Sequence, residues 1–492
     1  MRLTKLAQSV KNAKIIYNGR NAEREIEALC ADSRQTGKDS LFFCLKGGNS
    51  DGHNYAAEAV KKGAIAIVTE RELALDVPQI LVDDTRFAMG MLSAAFYGYP
   101  AKKLKLIGIT GTNGKTTTSY MLAGILEKAG KRTGVIGTLG VKFGSVYLPT
   151  DLTTPDPIYL QKTLAMLLSR GAEYVVMEIS AHALWFRKIA GLCFTACIFT
   201  NLSQDHLDFF ADMQEYKAAK SLLFNSEICP IAVLNGDDCT GREFGDKRKG
   251  IEGSKTVYYG LETPSDAFAI VTDESLFASE CLLNINDRLC RVSLRLTGRH
   301  NVYNALAAAA CAMELGISSE SVSAGLSALK GVNGRLQNVS SYRGAEIFVD
   351  FAHTPDGLQK SLDAIKEHCK GRVICLFGCG GNRDKSKRPM MGETAAKRSD
   401  FTVLTSDNPR YEDPLDIIGD IEKGYRRFSM KYVIVPDRKR AIEYALDMLK
   451  KGDVLLVAGK GGEEYQEIMG IKYSFNDNDI IEKIIKEKEI GR

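Results

Sequence analysis

The residues with the clearest chemical potential form one short glycine-rich loop, which follows an apolar run. The loop reads Gly111-Thr-Asn-Gly-Lys-Thr-Thr117. Gly111 and Gly114 allow the backbone to fold tightly around an anion, while the Lys115 ammonium can meet the outer oxygens of that anion. The Thr116 hydroxyl is placed to bind Mg²⁺. The pattern therefore predicts a phosphate-binding loop between a strand and a helix.

An ordinary glycine-rich turn is the alternative interpretation of this loop. The usual phosphate-loop pattern has glycine where this chain has Ile109, so the match to the general motif is incomplete. The lysine, the threonine, the preceding strand pattern and the following helical pattern all fall where a phosphate requires them. We therefore favour the phosphate loop.

Length, composition and charge limit the possible classes of protein. The chain has 492 residues, enough for about three domains. Its 65 basic and 61 acidic residues give a net charge of +4, which offers no electrostatic argument for nucleic acid or an anionic membrane. There is no apolar signal region or membrane-length apolar run. We expect a cytoplasmic monomer with small-molecule substrates, no nucleic acid partner and no membrane insertion.

The 12 cysteines are scattered along the chain. The closest pairs, Cys193 with Cys197 and Cys375 with Cys379, do not have the setting of zinc sites. We expect buried thiols in a reducing compartment.

Two strand-like runs end in candidate metal ligands. Glu178 ends the run that begins at Tyr174, and His206 follows the run that begins at Ala196. Polar groups at the carboxyl ends of parallel strands collect around a ligand crevice, so both side chains are candidates for binding Mg²⁺. Lys220 lies in a later segment that, taken alone, predicts an amphipathic helix with surface lysines.

Three motifs resemble those of the Mur ligases, enzymes that join a carboxylate to an amine through an acyl phosphate. They are the phosphate loop, Met177-Glu-Ile-Ser-Ala-His-Ala-Leu184 and Asn201-Leu-Ser-Gln-Asp-His-Leu-Asp208. The resemblance implies ATP as a substrate, Mg²⁺ on Thr116, Glu178 and His206, and a Lys220 carbamylated by CO₂ as a further metal ligand. Lys115, Lys220, Glu178 and His206 are then the catalytic candidates. The implied ATP-binding residues are Gly111, Thr112, Asn113, Gly114, Lys115, Thr116, Thr117, Asn301, Arg335 and Asp350, with Asn304 beside Asn301.

The first hundred residues predict a small α/β domain. Apolar runs at 41–45, 64–68 and 80–82 alternate with helical patterns at 55–62 and 85–97. Loops of this region resemble the UDP-sugar-binding domain of the UDP-N-acetylmuramoyl-tripeptide synthetases, a branch of the Mur ligases, and later motifs resemble their muramyl-substrate site. The implied contacts are Ser33, Asp51, His53, Thr153, Thr154, Ser180 and Lys188.

The last third of the chain predicts a doubly wound sheet. Strand patterns at 346–349, 373–377, 401–405, 432–435 and 454–458 alternate with helices, and polar or glycine-rich loops follow four of these strands. These loops resemble Mur ligase motifs, and two resemble the amino-acid pocket of the tripeptide synthetases. The implied contacts are Arg383, Asp407, Asn408, Pro409, Arg410, Gly459 and Glu463.

Arg410 carries the prediction of the amino acid. In the resembled enzymes, an arginine here accompanies meso-diaminopimelate, whose extra carboxylate a guanidinium can clamp with two parallel hydrogen bonds. Glu463 would meet the amine beside that carboxylate. L-Lysine would leave the arginine unpaired and facing an ammonium. A surface cation paired with Glu412 or Asp413 is the alternative interpretation of Arg410.

Several positions depart from the family pattern. At the sugar-nucleotide site, Lys188 stands where arginine is expected, with Arg187 one residue earlier. The other departures are Ala181 for serine, Phe210 for histidine, Asn333 for proline, Phe351 for tyrosine and Gly462 for histidine. None removes the phosphate loop or the metal candidates.

The sequence thus predicts an α/β protein with three domains. They are a small N-terminal UDP-sugar-binding domain at 1–99, a central phosphate-loop ATPase domain with a mostly parallel sheet at 100–333, and a Rossmann-like amino-acid-binding domain at 334–492. The implied reaction is ATP-dependent addition of meso-2,6-diaminopimelate to UDP-N-acetylmuramoyl-L-alanyl-D-glutamate in peptidoglycan synthesis. The alternatives are the same reaction with L-lysine, a ligase similar to folylpolyglutamate synthase, and a regulatory nucleotide switch.

Overall fold

The computed structural model describes residues 1–17, 24–48 and 50–490. The N-terminal region forms a five-stranded sheet with the order β1-β5-β4-β3-β2, in which only β1 runs antiparallel to its neighbour. Its elements are α1 (Leu3–Ala7), β1 (Lys14–Ile16), β2 (Ala28–Cys30), β3 (Ser40–Phe43), α2 (Ala56–Lys61), β4 (Ala64–Thr69), β5 (Gln79–Leu81) and α3 (Thr85–Phe96). The predicted small α/β domain is confirmed.

The central region alternates strands and helices and then adds an antiparallel extension. Its first half contains β6 (Lys105–Thr110), α4 (Lys115–Lys128), β7 (Thr133–Gly137), β8 (Gly140–Phe143), β9 (Val146–Leu148), α5 (Pro157–Ser169), β10 (Tyr174–Glu178), α6 (Ala181–Trp185) and β11 (Ala196–Phe199). Its second half contains α7 (Met213–Ser221), β12 (Ile231–Asn235), α8 (Cys239–Asp246), β13 (Lys255–Gly260), β14 (Ala267–Glu274), β15 (Ser279–Ile285), β16 (Arg288–Leu294), α9 (Arg299–Glu314) and α10 (Ser319–Ala328).

The C-terminal region forms a six-stranded sheet with the order β17-β18-β22-β19-β20-β21. Only β17 is antiparallel to its neighbour. The elements are β17 (Gln337–Tyr342), β18 (Ala345–Asp350), α11 (Pro355–His368), β19 (Val373–Phe377), α12 (Lys387–Arg398), β20 (Phe401–Leu404), α13 (Pro414–Tyr425), β21 (Tyr432–Ile434), α14 (Arg438–Asp447), β22 (Val454–Ala458), the hairpin β23 (Tyr465–Ile468) and β24 (Ile471–Ser474), and α15 (Asp477–Ile490).

Helices cover both faces of this C-terminal sheet. Side chains of α11, α12 and α13 pack on one face with the buried Phe377, and side chains of α14 and α15 pack on the other with Leu376. Neighbouring residues of a strand point to opposite faces, so a strand buried on both sides is apolar throughout. The predicted doubly wound arrangement is confirmed.

The chain packs as two compact units. The first contains 1–108, 132–197 and 222–230, and the second contains 109–131, 198–221 and 231–492. Strands β6 and β11 run from one unit into the other. The first unit contains the N-terminal sheet and strands in the order β11-β6-β10-β7-β8-β9. The second unit contains the C-terminal sheet and strands in the order β16-β15-β14-β13-β12-β11-β6. The domain boundaries at 99 and 333 remain predictions.

The cysteines and the helices bear on two expectations. All twelve cysteines are free thiols, of which nine are buried and one, Cys369, is intermediate. Cys193 and Cys239 are exposed, so the expectation of buried thiols was wrong there. Within residues 1–17, 24–48 and 50–490, no helix has the length and apolarity needed to cross a membrane.

One buried ion pair ties the ends of two C-terminal strands together. Arg438, the first residue of α14, pairs with Asp477, the first residue of α15, at 2.8 Å, and both side chains are 0% exposed. The same guanidinium donates to the carbonyls of Ser406 at 3.3 Å and Ala458 at 3.0 Å. These carbonyls directly precede Asp407 and Gly459, so Arg438 fixes the starts of two predicted substrate loops.

Replacing Arg438 with alanine should destabilise the C-terminal sheet strongly. Removing one partner of a buried pair leaves an uncompensated charge and typically costs about 3–5 kcal/mol. Calorimetric unfolding of Arg438→Ala should show a lowered Tm, while Arg440→Ala, an exposed arginine in the same helix, should melt like the wild type. Equal Tm values for both variants would contradict the assigned role of the pair.

Candidate active site

The phosphate loop connects β6 to α4 as predicted. Gly111 has φ +149°, and a Cβ there would lie 1.9 Å from Oγ1 of Thr200. Gly114 has φ +86°, and a Cβ there would lie 2.4 Å from Oδ1 of Asn304. Side chains at either position would close the loop, so glycine is required at both. The first amides of α4, from Lys115 onward, lie at the helix end that attracts anions.

The strand β11 and its following loop hold the phosphate loop in shape. The amide of Thr112 donates to the carbonyl of Asn201 at 2.8 Å, and the amide of Asn113 donates to the Asn201 side chain at 3.0 Å. The Thr200 hydroxyl donates to the carbonyl of Asn113 at 2.6 Å. These bonds fix the loop before any ligand arrives, which reduces the ordering cost of binding.

Two lysines meet at one backbone oxygen of the loop. Lys115 donates through Nζ to the carbonyls of Gly111 and Thr112, each at 2.9 Å. Lys220, on α7, donates to the same Gly111 carbonyl at 2.9 Å, and its Nζ lies 4.4 Å from the centre of the Tyr216 ring. The Lys220 residue is 1% exposed. The surface-helix interpretation of this lysine was therefore wrong.

The surroundings of Lys220 favour its neutral amine. Burial, followed by the charge of Lys115, holds the pKa of Lys220 well below its usual range, and the more distant Asp205 only partly opposes this. A neutral amine is a nucleophile, whereas an ammonium is not. The buried setting at the phosphate loop therefore disfavours the ammonium form of Lys220.

The Asp205 carboxylate is surrounded by one lysine and two histidines, one of which is the predicted metal ligand His206. Its carboxylate lies 2.9 Å from Nζ of Lys387, 3.4 Å from Nε2 of His206 and 3.5 Å from Nε2 of His353. Burial alone would raise the pKa of Asp205. The hydrogen bond from His353 and the surrounding positive charges outweigh that effect and hold it well below its usual range. His206 has φ +60°, and its ring meets the Tyr216 ring edge-on at 5.9 Å.

Arg335 connects the start of the C-terminal region to the phosphate loop. Its guanidinium donates to Oγ1 of Thr116 at 2.9 Å and lies 4.3 Å from the centre of the Phe351 ring. Phe351, which stands where the family pattern has tyrosine, thus provides an aromatic ring on which the Arg335 guanidinium packs. A Cβ placed on Gly334, the residue before Arg335, would lie only 2.0 Å from the amide nitrogen of Gly462. The backbones of these two residues are therefore in close contact.

Asp350 is engaged within the fold. Its carboxylate accepts hydrogen bonds from the amides of Leu336 and Ala352 and from the Ser361 hydroxyl. Burial raises its pKa. Its carboxylate oxygens are thus engaged by the backbone and by a side chain, including the amide of Leu336 next to Arg335. Its implied contact with the nucleotide ribose stays a prediction.

The two predicted asparagines lie in the first turns of α9. Asn301 donates to the carbonyl of Thr297 at 2.8 Å, and Asn304 donates to the Asn301 side chain at 3.2 Å. Oδ1 of Asn304 accepts from the Thr118 hydroxyl at 3.3 Å and is the atom that a Cβ on Gly114 would meet. The structure therefore places Asn304 directly at the loop, with Asn301 one step behind it. The Thr117 side chain is also buried, in the first turn of α4.

In the first unit, Glu178 and three predicted substrate contacts form one network. The Glu178 carboxylate accepts from the Thr138 amide at 2.9 Å and the Thr138 hydroxyl at 3.1 Å. That hydroxyl also meets the Thr153 hydroxyl at 3.1 Å. Thr154 donates to the Glu178 carbonyl at 2.9 Å and accepts from the Ser180 amide at 2.9 Å. Residues far apart in sequence therefore converge at the end of β10.

The N-terminal candidates are engaged with neighbouring residues. Nδ1 of His53 donates to Asp51 at 2.5 Å, and Nε2 accepts from the Glu70 amide at 3.1 Å. Both ring nitrogens of His53 are therefore engaged by neighbouring residues. Hydrogen bonds from His53 and Arg71 lower the pKa of Asp51. Ser33 meets Glu58 at 3.4 Å.

The cations at the predicted sugar-nucleotide site have separate partners. Lys188 pairs with Asp156 at 2.7 Å, and Arg187 pairs with Asp84 at 3.0 Å. Arg187 also has φ +54°. Either side chain would have to exchange a carboxylate for a diphosphate, and the choice between them stays a prediction.

The predicted amino-acid loops come together at the ends of β20 and β22. Glu463 accepts from Nδ2 of Asn408 at 2.9 Å and from Nζ of Lys460 at 2.9 Å, while Lys460 also donates to Oδ1 of Asn408 at 3.1 Å. A Cβ on Gly459 would lie 2.6 Å from Oδ2 of Asp407, so only glycine allows this approach.

Three further loop residues have distinct settings. Arg410 pairs with Glu467 at 3.1 Å, so the alternative pairing with Glu412 or Asp413 was wrong. Arg383 is exposed and donates only to the neighbouring Asn382 carbonyl at 3.4 Å. Pro409 is buried, and its carbonyl accepts from the Glu412 amide at 3.0 Å.

Known proteins match this chain over nearly its full length. Family models match 25–97 (Mur ligase family, catalytic domain), 109–312 (Mur ligase middle domain) and 334–461 (Mur ligase, glutamate ligase domain). The UDP-N-acetylmuramoyl-L-alanyl-D-glutamate--2,6-diaminopimelate ligase of Geobacillus kaustophilus is 42% identical over 480 residues, which cover 96% of this chain and 97% of that one. This chain belongs to the Mur ligase family.

Further relatives support the same placement of this Mur ligase. A protein with the same name from Caldanaerobacter subterraneus subsp. tengcongensis is 42% identical, covering 99% of this chain and all of that one. The solved structure of a ligase with that name has a TM-score of 0.69 at 30% identity and covers 96% and 98% of the two chains. MurF from Acinetobacter baumannii, at 21% identity and TM-score 0.68, shows a shared fold. The predicted family and three-domain α/β fold are confirmed.

The second unit of this Mur ligase offers groups that suit ATP and Mg²⁺. The glycine cradle has no space for side chains, and two cations, Lys115 and Arg335, converge on it. The Thr116 hydroxyl and the His206 imidazole could supply an oxygen and a nitrogen ligand, while Lys220 as a bare ammonium would repel a metal ion. A carbamate on Lys220 would supply the hard oxygens that Mg²⁺ prefers.

Sequence reasoning missed several residues that hold the Mur ligase site together. They are Asp205 and Lys387 near His206, Lys460 and Glu467 in the amino-acid loops, and the pair Arg438 and Asp477. Arg438 and Asp477 are 39 residues apart in the sequence, and Lys387 and Asp205 are 182 residues apart. Most of these charged side chains are buried, whereas Glu467 is 22% exposed, and no local sequence pattern indicates their partners.

Proposed function

We propose that this Mur ligase uses ATP to join meso-2,6-diaminopimelate to UDP-N-acetylmuramoyl-L-alanyl-D-glutamate. The observation that carries the reaction class is the convergence of Lys115, Lys220 and the Gly111 carbonyl on a preformed phosphate loop. The substrates are those in the names of relatives that are about 42% identical to this chain. A cytoplasmic location and a monomeric state remain predictions.

In the proposed first step, the terminal phosphoryl group of ATP passes to a substrate carboxylate. Lys115 would leave the two loop carbonyls and pair with the phosphate oxygens, since an anion is a better partner for an ammonium than a carbonyl. Arg335, which already reaches Thr116, would meet charge that develops on the same phosphates. Mg²⁺ would neutralise part of that charge. ADP leaves, and the substrate holds an acyl phosphate.

In the second step, the amine of the incoming amino acid attacks the acyl carbon, an amide bond forms, and phosphate leaves with the bonding electrons. The attacking ammonium must first lose one proton. Glu463 would bind an amine of diaminopimelate, and Arg410 would bind the distal carboxylate. Lys460 and Asn408 hold the Glu463 carboxylate in place before the substrate arrives.

We also propose that CO₂ modifies Lys220. Its neutral amine would form an N–C bond with CO₂ and release one proton, which leaves a carbamate anion. The carbamate would place an anion beside the Lys115 ammonium, so that the two side chains at the Gly111 carbonyl would attract each other. Thr116, His206 and this carbamate would hold Mg²⁺ in the second unit, and Glu178 remains the further ligand that the family resemblance implies.

The amino-acid proposal is tested by mass spectrometry of the product formed from ATP, UDP-muramyl-dipeptide and a panel of amino acids. Wild-type enzyme should prefer meso-diaminopimelate over L-lysine by about tenfold or more in kcat/KM, because one charge-assisted hydrogen bond contributes roughly 1.5–3 kcal/mol. Arg410→Ala should lose most of this preference, whereas Arg426→Ala, which removes an exposed arginine, should keep it. Equal use of L-lysine by wild type would refute the assignment of Arg410.

The lysine proposal is tested with Lys220→Ala. This variant should lose about a hundredfold or more in kcat, because the charge that positions the metal is absent, and a small carboxylate such as acetate should restore part of it. Lys217→Ala, on the same helix, removes a cation that pairs with Glu243 and should behave like wild type. Full activity of Lys220→Ala without added acid would show that the carbamate is unnecessary.

A further inference from the structure

The hairpin β23–β24 is built onto the loop that carries Arg410. Nε2 of Gln466 donates to the Asp407 carbonyl at 2.7 Å, and the amide of Glu467 donates to Oδ1 of Asn408 at 2.9 Å. The Arg410 amide in turn donates to the Glu467 carbonyl at 3.0 Å. The hairpin is therefore joined to the loop by one isolated parallel bridge, between Arg410 and Ile468, and by hydrogen bonds that involve side chains.

This contact also explains the unusual backbone of Arg410. The residue has φ +53°, a left-handed conformation that is unfavourable for a non-glycine residue. Its carbonyl accepts from the Met469 amide at 2.8 Å, so hydrogen bonds to the hairpin hold both its amide and its carbonyl. The hairpin thus keeps the backbone of Arg410 in a position that the loop alone would not favour.

The side chain of Arg410 is anchored at two points. Nε donates to Oε2 of Glu467 at 3.1 Å, and one terminal nitrogen donates to the Gly381 carbonyl at 2.9 Å. A guanidinium has five N–H groups, and the described residues engage two of those on Arg410 in hydrogen bonds, which leaves three for another partner. Arg410 is about one-sixth exposed (16%), and Glu467 is 22% exposed, so the pair is largely shielded from water.

We propose that Glu467 is a positioning residue that makes Arg410 selective for the distal carboxylate of the amino acid. This inference rests on the proposed use of meso-diaminopimelate. A free arginine side chain loses rotamer freedom when it captures a ligand, and an arginine that is already anchored loses less. Glu467 uses one oxygen on Nε, not a two-bond clamp, and leaves N–H groups for a second carboxylate.

The local charges support positioning rather than competition. Glu412, another acid near the loop, is already bound by Arg388 at 2.9 Å and by Lys385 at 3.2 Å. Those hydrogen bonds, led by Arg388, lower the pKa of Glu412 to about 2. Glu467 is therefore the acid that determines where the Arg410 side chain points within the described loop region, and its loss would leave the guanidinium held by Gly381 alone.

The experiment compares Glu467→Ala and Glu467→Gln with Glu464→Gln, which changes an exposed acid three residues earlier. KM and kcat are measured for each substrate. Glu467→Ala should raise the KM for meso-diaminopimelate about tenfold and lower the preference over L-lysine, with kcat and the other KM values within about twofold of wild type. Glu467→Gln should lie between, because its amide oxygen still accepts from Nε. Glu464→Gln should match wild type.

Two outcomes would overturn the inference. An unchanged or lower KM for meso-diaminopimelate in Glu467→Ala would show that Glu467 does not assist the arginine or competes with the substrate. An equal loss for every substrate, with a lowered Tm, would show a purely structural hairpin. Arg410→Ala separates this inference from the proposed function: if that variant keeps the amino-acid preference, the substrate assignment fails first.

Discussion

Two lysine side chains share one carbonyl oxygen of the phosphate loop, and much of the site follows from that contact. Lys115 belongs to the loop and Lys220 to a helix that begins about a hundred residues later, yet each donates to Gly111 at 2.9 Å. Two ammonium groups in a buried place repel each other. This electrostatic repulsion is reduced if one amine is neutral, and it becomes attraction if one of the groups becomes an anion. A bound phosphate would relieve it as well.

The C-terminal loops show a second use of buried charge. Arg438, Asp477 and Lys460 are all 0% exposed in their side chains. Arg438 and Lys460 bind groups at or next to the amino-acid loops, and Asp477 pairs with Arg438. Such charges are costly to bury unless they are paired, so they tie strand ends together in a specific geometry. A Cβ on Gly334 would lie only 2.0 Å from the amide nitrogen of Gly462, so the close approach of these two segments requires glycine at position 334.

Local sequence patterns predicted the fold well. The order of strand, phosphate loop and helix, the small N-terminal domain and the strands of the doubly wound sheet depend on apolar periodicity and glycine placement, both of which are local. The burial of Lys220 could not be predicted in this way, because it depends on α7 packing against a loop about a hundred residues away. The family resemblance, rather than the pattern of the helix, singled out this lysine.

Partners of the predicted residues were the least predictable feature. Arg410 had two acids nearby in sequence, but the acid that binds it comes from a hairpin 57 residues later. His53 has the side chain of a typical ligand contact, yet both of its ring nitrogens are used within its own domain. The sequence therefore predicted which loops carry the candidate site, whereas hydrogen bonds between distant segments determine the partners of their side chains.

The chemical state of Lys220 is the central claim, and ¹³C NMR tests it most directly. Enzyme incubated with ¹³C-bicarbonate should show a carbamate carbon resonance, which should be absent from Lys220→Met, a variant of similar size without the amine. The account predicts this resonance in wild type and its loss in the variant. No carbamate resonance in wild type, or the same resonance in Lys220→Met, would contradict it.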